Sequence, residues 1–168
     1  MLNIATGNLL DADVDALVNT VNTEGVMGKG IALQFKQAYP TMFRAYKAAC
    51  KARGVHLGQV HIYDLGGLVG GPRWIINFPT KGHWKSKSRI EDIAKGLHDL
   101  TAKVRALGIR SIAVPPLGCG YGGLDWADVE PLIADAFRDL PEVDVKLYPP
   151  SFSPRERRGS TIPTSRSN

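Results

Sequence analysis

Short apolar runs along the chain alternate with longer amphipathic stretches. Runs rich in β-branched residues lie at Leu2–Thr6, Ala16–Val21, Gln59–Tyr63, Trp74–Phe78, Ser111–Val114 and Val143–Tyr148, with Gly, Pro, Asn or Asp near their ends. They predict six strands. The clearest helical pattern covers Arg89–Leu107, where Ile90, Ile93, Ala94, Leu97, Leu100, Val104 and Leu107 recur at three- and four-residue steps and Gly108 stands where a C-terminal cap belongs. Three more helices are predicted over Ile31–Tyr39, Met42–Arg53 and Asp125–Leu140, which stop at Pro40, Gly54 and Pro141. Strands alternating with helices predict an α/β fold with helices on both faces of the sheet. In such folds ligands collect in crevices at the strand ends, so the loops that begin there are the places to look for chemistry.

Two of those loops are unusually rich in glycine. Pro115–Trp126, "PPLGCGYGGLDW", packs four glycines into six residues after an apolar run, and Asn22–Ala32 places Gly25, Gly28 and Gly30 between a predicted strand and helix. A glycine costs roughly 0.5–1 kcal/mol of conformational entropy relative to alanine. One such loop is explained by a turn. Two in one domain point to a phosphate cradle, in which successive backbone N–H groups face an anion. Neither loop is a Walker-type or dinucleotide fingerprint.

At 168 residues the chain is about one domain. Cys50 and Cys119 lack metal-ligand spacing, so neither a disulfide framework nor a metal site is expected. No apolar run approaches a membrane span and no secretory pattern opens the chain, so a cytoplasmic setting without membrane contact is expected. The net charge of +5 overstates the basicity of the folded part, because residues 151–168 carry four arginines and one glutamate. Residues 1–150 hold 17 basic and 15 acidic groups. The last 18 residues are polar and bear Pro and Ser, and read as a flexible linker or truncated tail after a domain at 1–150.

A third segment, "NFPTKGHWKSKSR" at 77–89, follows the predicted strand Trp74–Phe78 and interleaves Lys81, Lys85, Lys87 and Arg89 with His83 and Trp84. It is either a solvated basic loop or a surface for single-stranded nucleic acid, where aromatics and cations combine. No sequence-reading module such as a helix-turn-helix is visible.

Gly7-Asn8-Leu9, "VDALVNTVN" at Val14–Asn22, the loop Gly28–Ala32 and "PPLGCGYGGL" together resemble the macrodomain family, which binds ADP-ribose, over about residues 1–150. Within that family "NTEGVMGKGIALQFK" and "INFPTKGHWKSKS" are similar to the branch that removes ADP-ribose through a lysine, including antitoxin macrodomains acting on ADP-ribosylated thymidine in DNA. The resemblance implies a three-layer α/β/α sandwich around a mixed sheet of about six strands.

It also implies roles for individual residues. Leu9 N–H meets the adenine ring and Asn8 its exocyclic amine, in place of the aspartate common in the family; alternatively Asn8 only shapes a turn. Gly28, Lys29, Gly30 and Ile31 form one phosphate loop, and Pro116, Gly118, Cys119, Gly120, Tyr121 and Gly122 the other. Tyr121 covers the distal ribose or is a half-buried loop aromatic. Asn22 hydrogen-bonds the distal ribose and joins Lys81 as a catalytic candidate, or is only a turn residue at the strand end; Tyr148 walls the adenosine pocket or packs in the core. Lys81, after Thr80, takes the catalytic place. It acts as a neutral nucleophile on the anomeric carbon or, as a neighbouring diphosphate favours, as a cation. Thr80, His83, Trp84, Lys85 and Lys87 are candidates to contact the base or DNA. Two glycines occupy the space where one relative has an acid, and Asp125 lies nearer a helix cap.

The implied function is a DNA ADP-ribosyl glycohydrolase needing no cofactor. It would act on ADP-ribosylated single-stranded DNA as antidote to a cognate DNA ADP-ribosyltransferase toxin. Removal of ADP-ribose from protein and non-catalytic ADP-ribose binding are the alternatives.

Overall fold

The computed structural model describes residues 1–67 and 70–151; most of the expected tail lies outside these residues. Six strands form one sheet: β1 (Leu2–Ile4), β2 (Ala16–Asn22), β3 (His61–Asp64), β4 (Trp74–Lys81), β5 (Ser111–Val114) and β6 (Asp144–Leu147). Their order is β1-β6-β5-β2-β4-β3, all neighbours parallel except the antiparallel pair β3–β4. Four helices flank it: α1 (Gly30–Ala38), α2 (Pro40–Lys51), α3 (Ile90–Leu107) and α4 (Trp126–Phe137).

Strand periodicity divides the core into two layers. Ala16, Val18, Ile76, Phe78, Ile112 and Val114 face α3 and α4 and pack with Ile93, Leu97, Leu100, Val129 and Ile133. The alternate residues Leu17, Val21, Ile75 and Ala113 face α1 and α2 and pack with Phe35, Met42 and Tyr46. The result is the expected α/β/α sandwich. On the α3 side the layers approach closely: a Cβ on Gly96 would lie 2.3 Å from Phe78 Cζ, so only glycine lets the helix sit at this depth.

The sequence pattern misses three features. Pro40 both follows α1 and opens α2, because a proline at the first helical turn forfeits no intrahelical hydrogen bond. Two short 3₁₀ turns, Leu9–Asp11 and Gly120–Gly122, form within the ligand-facing loops. Most consequentially, β4 runs on past Phe78 to Lys81. Pro79 lacks an N–H, but the β3 pairing stops at Asn77, so here β4 has a partner only on its β2 side. There the ladder slips: Val21 is opposite Pro79, but the next residue, Asn22, is opposite Lys81. Thr80 is the extra residue, and the slip re-aims the side chains that follow it. Among the described residues no helix is long and apolar enough to cross a membrane.

Candidate active site

The strand order lays a groove along the carboxyl edge of the sheet. Reading across β1, β6, β5, β2 and β4, the loop residues that follow are Asn8 and Leu9, Tyr148, the 115–122 loop, the 22–30 loop and Lys81. Four strand spacings of about 4.8 Å span roughly 19 Å. Two adjoining cavities fill this groove. The larger, about 790 Å³, is lined by Asn8, Leu9, Gln34 and Tyr148. The other, about 440 Å³, is lined by Asn22, Gly28, Lys29, Gly30, Thr80, Lys81, Trp84, Lys85, Gly118, Cys119, Gly120, Tyr121 and Gly122. Ile31, Pro115 and Pro116 line both and form the neck.

At the first end, Asn8 caps the 3₁₀ turn: its Oδ1 accepts from Leu10 N–H at 3.1 Å. The turn-shaping reading of Asn8 is thus the one seen here, and the same residue lines the cavity. Tyr148 packs partly against the α1–α2 core while facing the same cavity.

The middle of the groove is built from the glycine loops. Gly120 has φ of +69°, the left-handed region, with no atom within 4 Å of where a Cβ would go. Gly122 is required for a different reason. A Cβ there would lie 2.4 Å from Ser88 Oγ, and Ser88 N–H donates to Gly122 O at 2.9 Å. The 118–123 loop is thereby seated on the end of the 81–88 loop. Tyr121, 66% exposed, reaches across to the other glycine loop, where Lys29 Nζ lies 5.4 Å from its ring centre. It stands at the mouth of the cavity rather than half-buried. Burial, and secondarily the Asp125 carboxylate, push the Cys119 thiol up to about 11, so it stays protonated at neutral pH. Asp125 itself caps α4, accepting from Ala127 N–H at 3.1 Å.

The far end is organised by Asn22, 6% exposed. Its Nδ2 donates to Val26 O (2.8 Å), while its Oδ1 accepts from Glu24 N–H (3.0 Å) and Val26 N–H (3.3 Å). The buried Tyr46 hydroxyl donates to Asn22 O at 2.7 Å and lies 3.1 Å from Oδ1. Expected as a ribose contact, Asn22 spends its polar atoms here on closing the 22–26 turn. Thr23 then donates through N–H (3.1 Å) and hydroxyl (3.0 Å) to Gly82 O, clamping that turn to the segment after Lys81.

Lys81 ends β4 and faces this cavity. Burial, then the positive charges of Lys87 and Lys29, hold its ammonium below the usual lysine range. The protein's own groups thus push Lys81 towards the neutral amine, opposite to the direction expected from a diphosphate alone. Trp84 and Lys85 line the cavity beside it, with Lys85 Nζ 4.8 Å from the Trp84 ring centre. His83 does not line the cavity; it stacks on Trp84 (5.2 Å, 26°), and its Nε2 lies 3.7 Å from the Glu24 carboxylate. Lys87 is also outside the lining, against Gly123, and acts on the site through its charge.

Sequence reasoning missed Val26, an exposed apolar residue in the cavity wall, and Gln34 at the other end. Gln34 follows Ile31 by three residues, which puts both on one face of α1.

Comparison with known proteins agrees with this architecture. The Macro domain family model matches residues 18–133. A DNA ADP-ribosyl glycohydrolase of Mycobacterium tuberculosis is 55% identical over 95% of this chain, which corresponds to 45% of the relative. The macrodomain of Mycobacterium tuberculosis DarG superposes with a TM-score of 0.88 at 56% identity, covering 90% of this chain and 99% of that one. Thermosipho africanus DarTG, solved in complex with ADP-ribose, superposes with a TM-score of 0.83 at 34% identity over 89% of this chain and 42% of that one. The chain spans just under half the length of the curated relatives it matches at highest identity. It belongs to the macrodomain family.

Proposed function

We propose that the protein is a DNA ADP-ribosyl glycohydrolase that releases ADP-ribose from thymidine in single-stranded DNA. The observation that carries this reading is the register break. It brings Lys81 opposite Asn22, at the end of a groove whose middle is two glycine loops. The adenosine end of the ligand lies against Asn8, Leu9, Gln34 and Tyr148. Its diphosphate takes hydrogen bonds from the backbone of Gly28–Ile31 and Gly118–Gly122, and its distal ribose sits under Tyr121 with the anomeric carbon towards Lys81. Trp84, Lys85 and Val26 receive the thymine and its strand.

The chemistry follows from the amine. A lowered ammonium pKa leaves more neutral Lys81 available at a given pH, and the neutral amine is the nucleophile. Its nitrogen bonds to the anomeric carbon as the bond to the thymine nitrogen breaks. The electron pair leaves with the base, which takes up the proton shed by the attacking amine. The ribosyl–lysine adduct opens its ring to a Schiff base, the ring oxygen taking up the nitrogen's proton, and water hydrolyses that imine to ADP-ribose and restores the amine. Protonated Cys119 and helix-capping Asp125 take no part as nucleophile or acid.

In this reading residues 1–150 are the macrodomain and 151–168 a connecting tail. The partner is a DNA ADP-ribosyltransferase toxin whose modification the protein reverses. A Thermosipho africanus relative whose name joins transferase and glycohydrolase in one fusion protein supports that pairing.

The test is to incubate the protein with an oligonucleotide ADP-ribosylated on thymidine and, separately, with ADP-ribosylated protein, and to follow free ADP-ribose. Release from the oligonucleotide alone is expected. Release only from protein, or from neither, overturns the reading.

A further inference from the structure

Charge is distributed unevenly over the two helical layers. Residues 25–63 contain Lys29, Lys36, Arg44, Lys47, Lys51 and Arg53 and no aspartate or glutamate, while the rest of residues 1–150 holds 11 basic and 15 acidic groups. The basic layer is α1–α2. The opposite layer includes α4 and its flanks, where residues 125–139 hold Asp125, Asp128, Glu130, Asp135 and Asp139 and a single cation, Arg138. None of the six cations forms an ion pair among the described residues.

Three of them form a stripe. Arg44, Lys47 and Lys51 are exposed and recur at steps of three and four residues, one face of α2. At 1.5 Å per residue the stripe is roughly 10 Å long, room for a short run of backbone phosphates. It also leads to the site. A Cβ on Gly25 would lie 3.4 Å from Lys47 Cγ, and the next residue, Val26, lines the Lys81 cavity.

We propose that the α2 stripe Arg44–Lys47–Lys51 is a docking track for the phosphate backbone of the single strand whose modified base enters the Lys81 cavity. The proposal rests on the glycohydrolase reading and adds a second contact surface, beyond the basic 83–89 segment, on the opposite side of the 22–26 turn. An unpaired row of cations suits a polyanion and reads no sequence. The acidic α4 layer repels the strand from the other face and so orients it.

The experiment compares the parent with a triple variant, Arg44→Gln, Lys47→Gln and Lys51→Gln, glutamine being a good helix former at exposed positions. A control replaces Lys95, Lys103 and Arg105 of α3 by glutamine, removing the same charge from the other layer. Anisotropy measures binding of an unmodified 12-mer single strand across a salt series, and turnover is followed for an ADP-ribosylated 12-mer and for an ADP-ribosylated trinucleotide. The α2 variant is expected to bind the 12-mer at least tenfold more weakly at low salt. Its log–log salt slope should be shallower by about 2, near 0.7 for each lost phosphate contact. Turnover of the trinucleotide and affinity for ADP-ribose should stay at parent values. Equal 12-mer affinity and salt slope in the α2 variant and parent, or equal losses in the α2 and α3 variants, overturn the track. If the parent binds the 12-mer through α2 but releases no ADP-ribose from either oligonucleotide, the track stands and the glycohydrolase reading fails.

Discussion

Asn22 and Lys81 are register partners across the one slip in the β2–β4 ladder. Pro79 is the last residue before the slip, Thr80 absorbs it, and Asn22 then ties the backbone beyond it into a closed turn. Lys81 is therefore held by a strand end whose geometry is fixed on both sides.

Removing the Asn22 side chain frees that turn. Asn22→Ala removes three part-buried hydrogen bonds, to the Val26 carbonyl and the Glu24 and Val26 amides, at about 0.5–1.5 kcal/mol each. We expect a lowered melting temperature and at least a tenfold fall in turnover, with ADP-ribose affinity changed much less. Thermal unfolding, calorimetry and kinetics on one preparation check all three. Unchanged turnover would show that the turn does not hold Lys81.

Lys87 contributes to the lowered ammonium pKa of Lys81. Its charge is the second cause, after burial, of the lowered ammonium pKa. Lys87→Gln removes that repulsion, so the Lys81 pKa rises and less neutral amine is present at any pH below it. The rising limb of the pH–rate profile should move to higher pH, with turnover near neutrality falling and the alkaline plateau retained. A limb that stays in place, or moves down, contradicts the nucleophilic amine.

Much of the fold was legible in advance because its signals are local. The α3 periodicity and Gly108 located that helix to within one residue of its start, and Ser111–Val114 matched its strand. The two glycine loops, expected to face one ligand, line the same cavity. The path of β4 beyond Phe78 was not legible. A proline usually ends a strand, and whether it does so or forces a bulge depends on the neighbouring strand, which local pattern does not contain. The local turn at Asn22 was among its sequence readings, but its bond to Tyr46, 24 residues away, was hidden for the same reason. The basic α2 stripe escaped notice because net charge over the first 150 residues nearly cancels.

Gly120→Val tests the cradle. The space around Gly120 is open, so the fold should persist, but Gly120 lines the groove and a β-branched residue at φ of +69° is strained there. ADP-ribose affinity should fall by tenfold or more. Calorimetry returning the parent affinity would remove the second glycine loop from the binding site.

Gly96→Ala tests the packing. Its Cβ would overlap the Phe78 ring, so α3 must lift from the sheet, a change costing about 1–3 kcal/mol. Denaturant unfolding should show a lower midpoint at unchanged slope, and an unchanged midpoint would mean the interface is looser than described.

Lys81→Ala, assayed for release of ADP-ribose from thymidine in a single-stranded oligonucleotide alongside calorimetric binding of free ADP-ribose, tests the central claim most directly. Losing one well-placed catalytic group commonly costs a hundredfold or more in rate, whereas the glycine loops hold the diphosphate without the lysine. The account predicts release reduced by at least that factor, ADP-ribose affinity within a few-fold of the parent, and a borohydride-trapped lysyl adduct in the parent that is absent from the variant. Release at the parent rate by Lys81→Ala would contradict it.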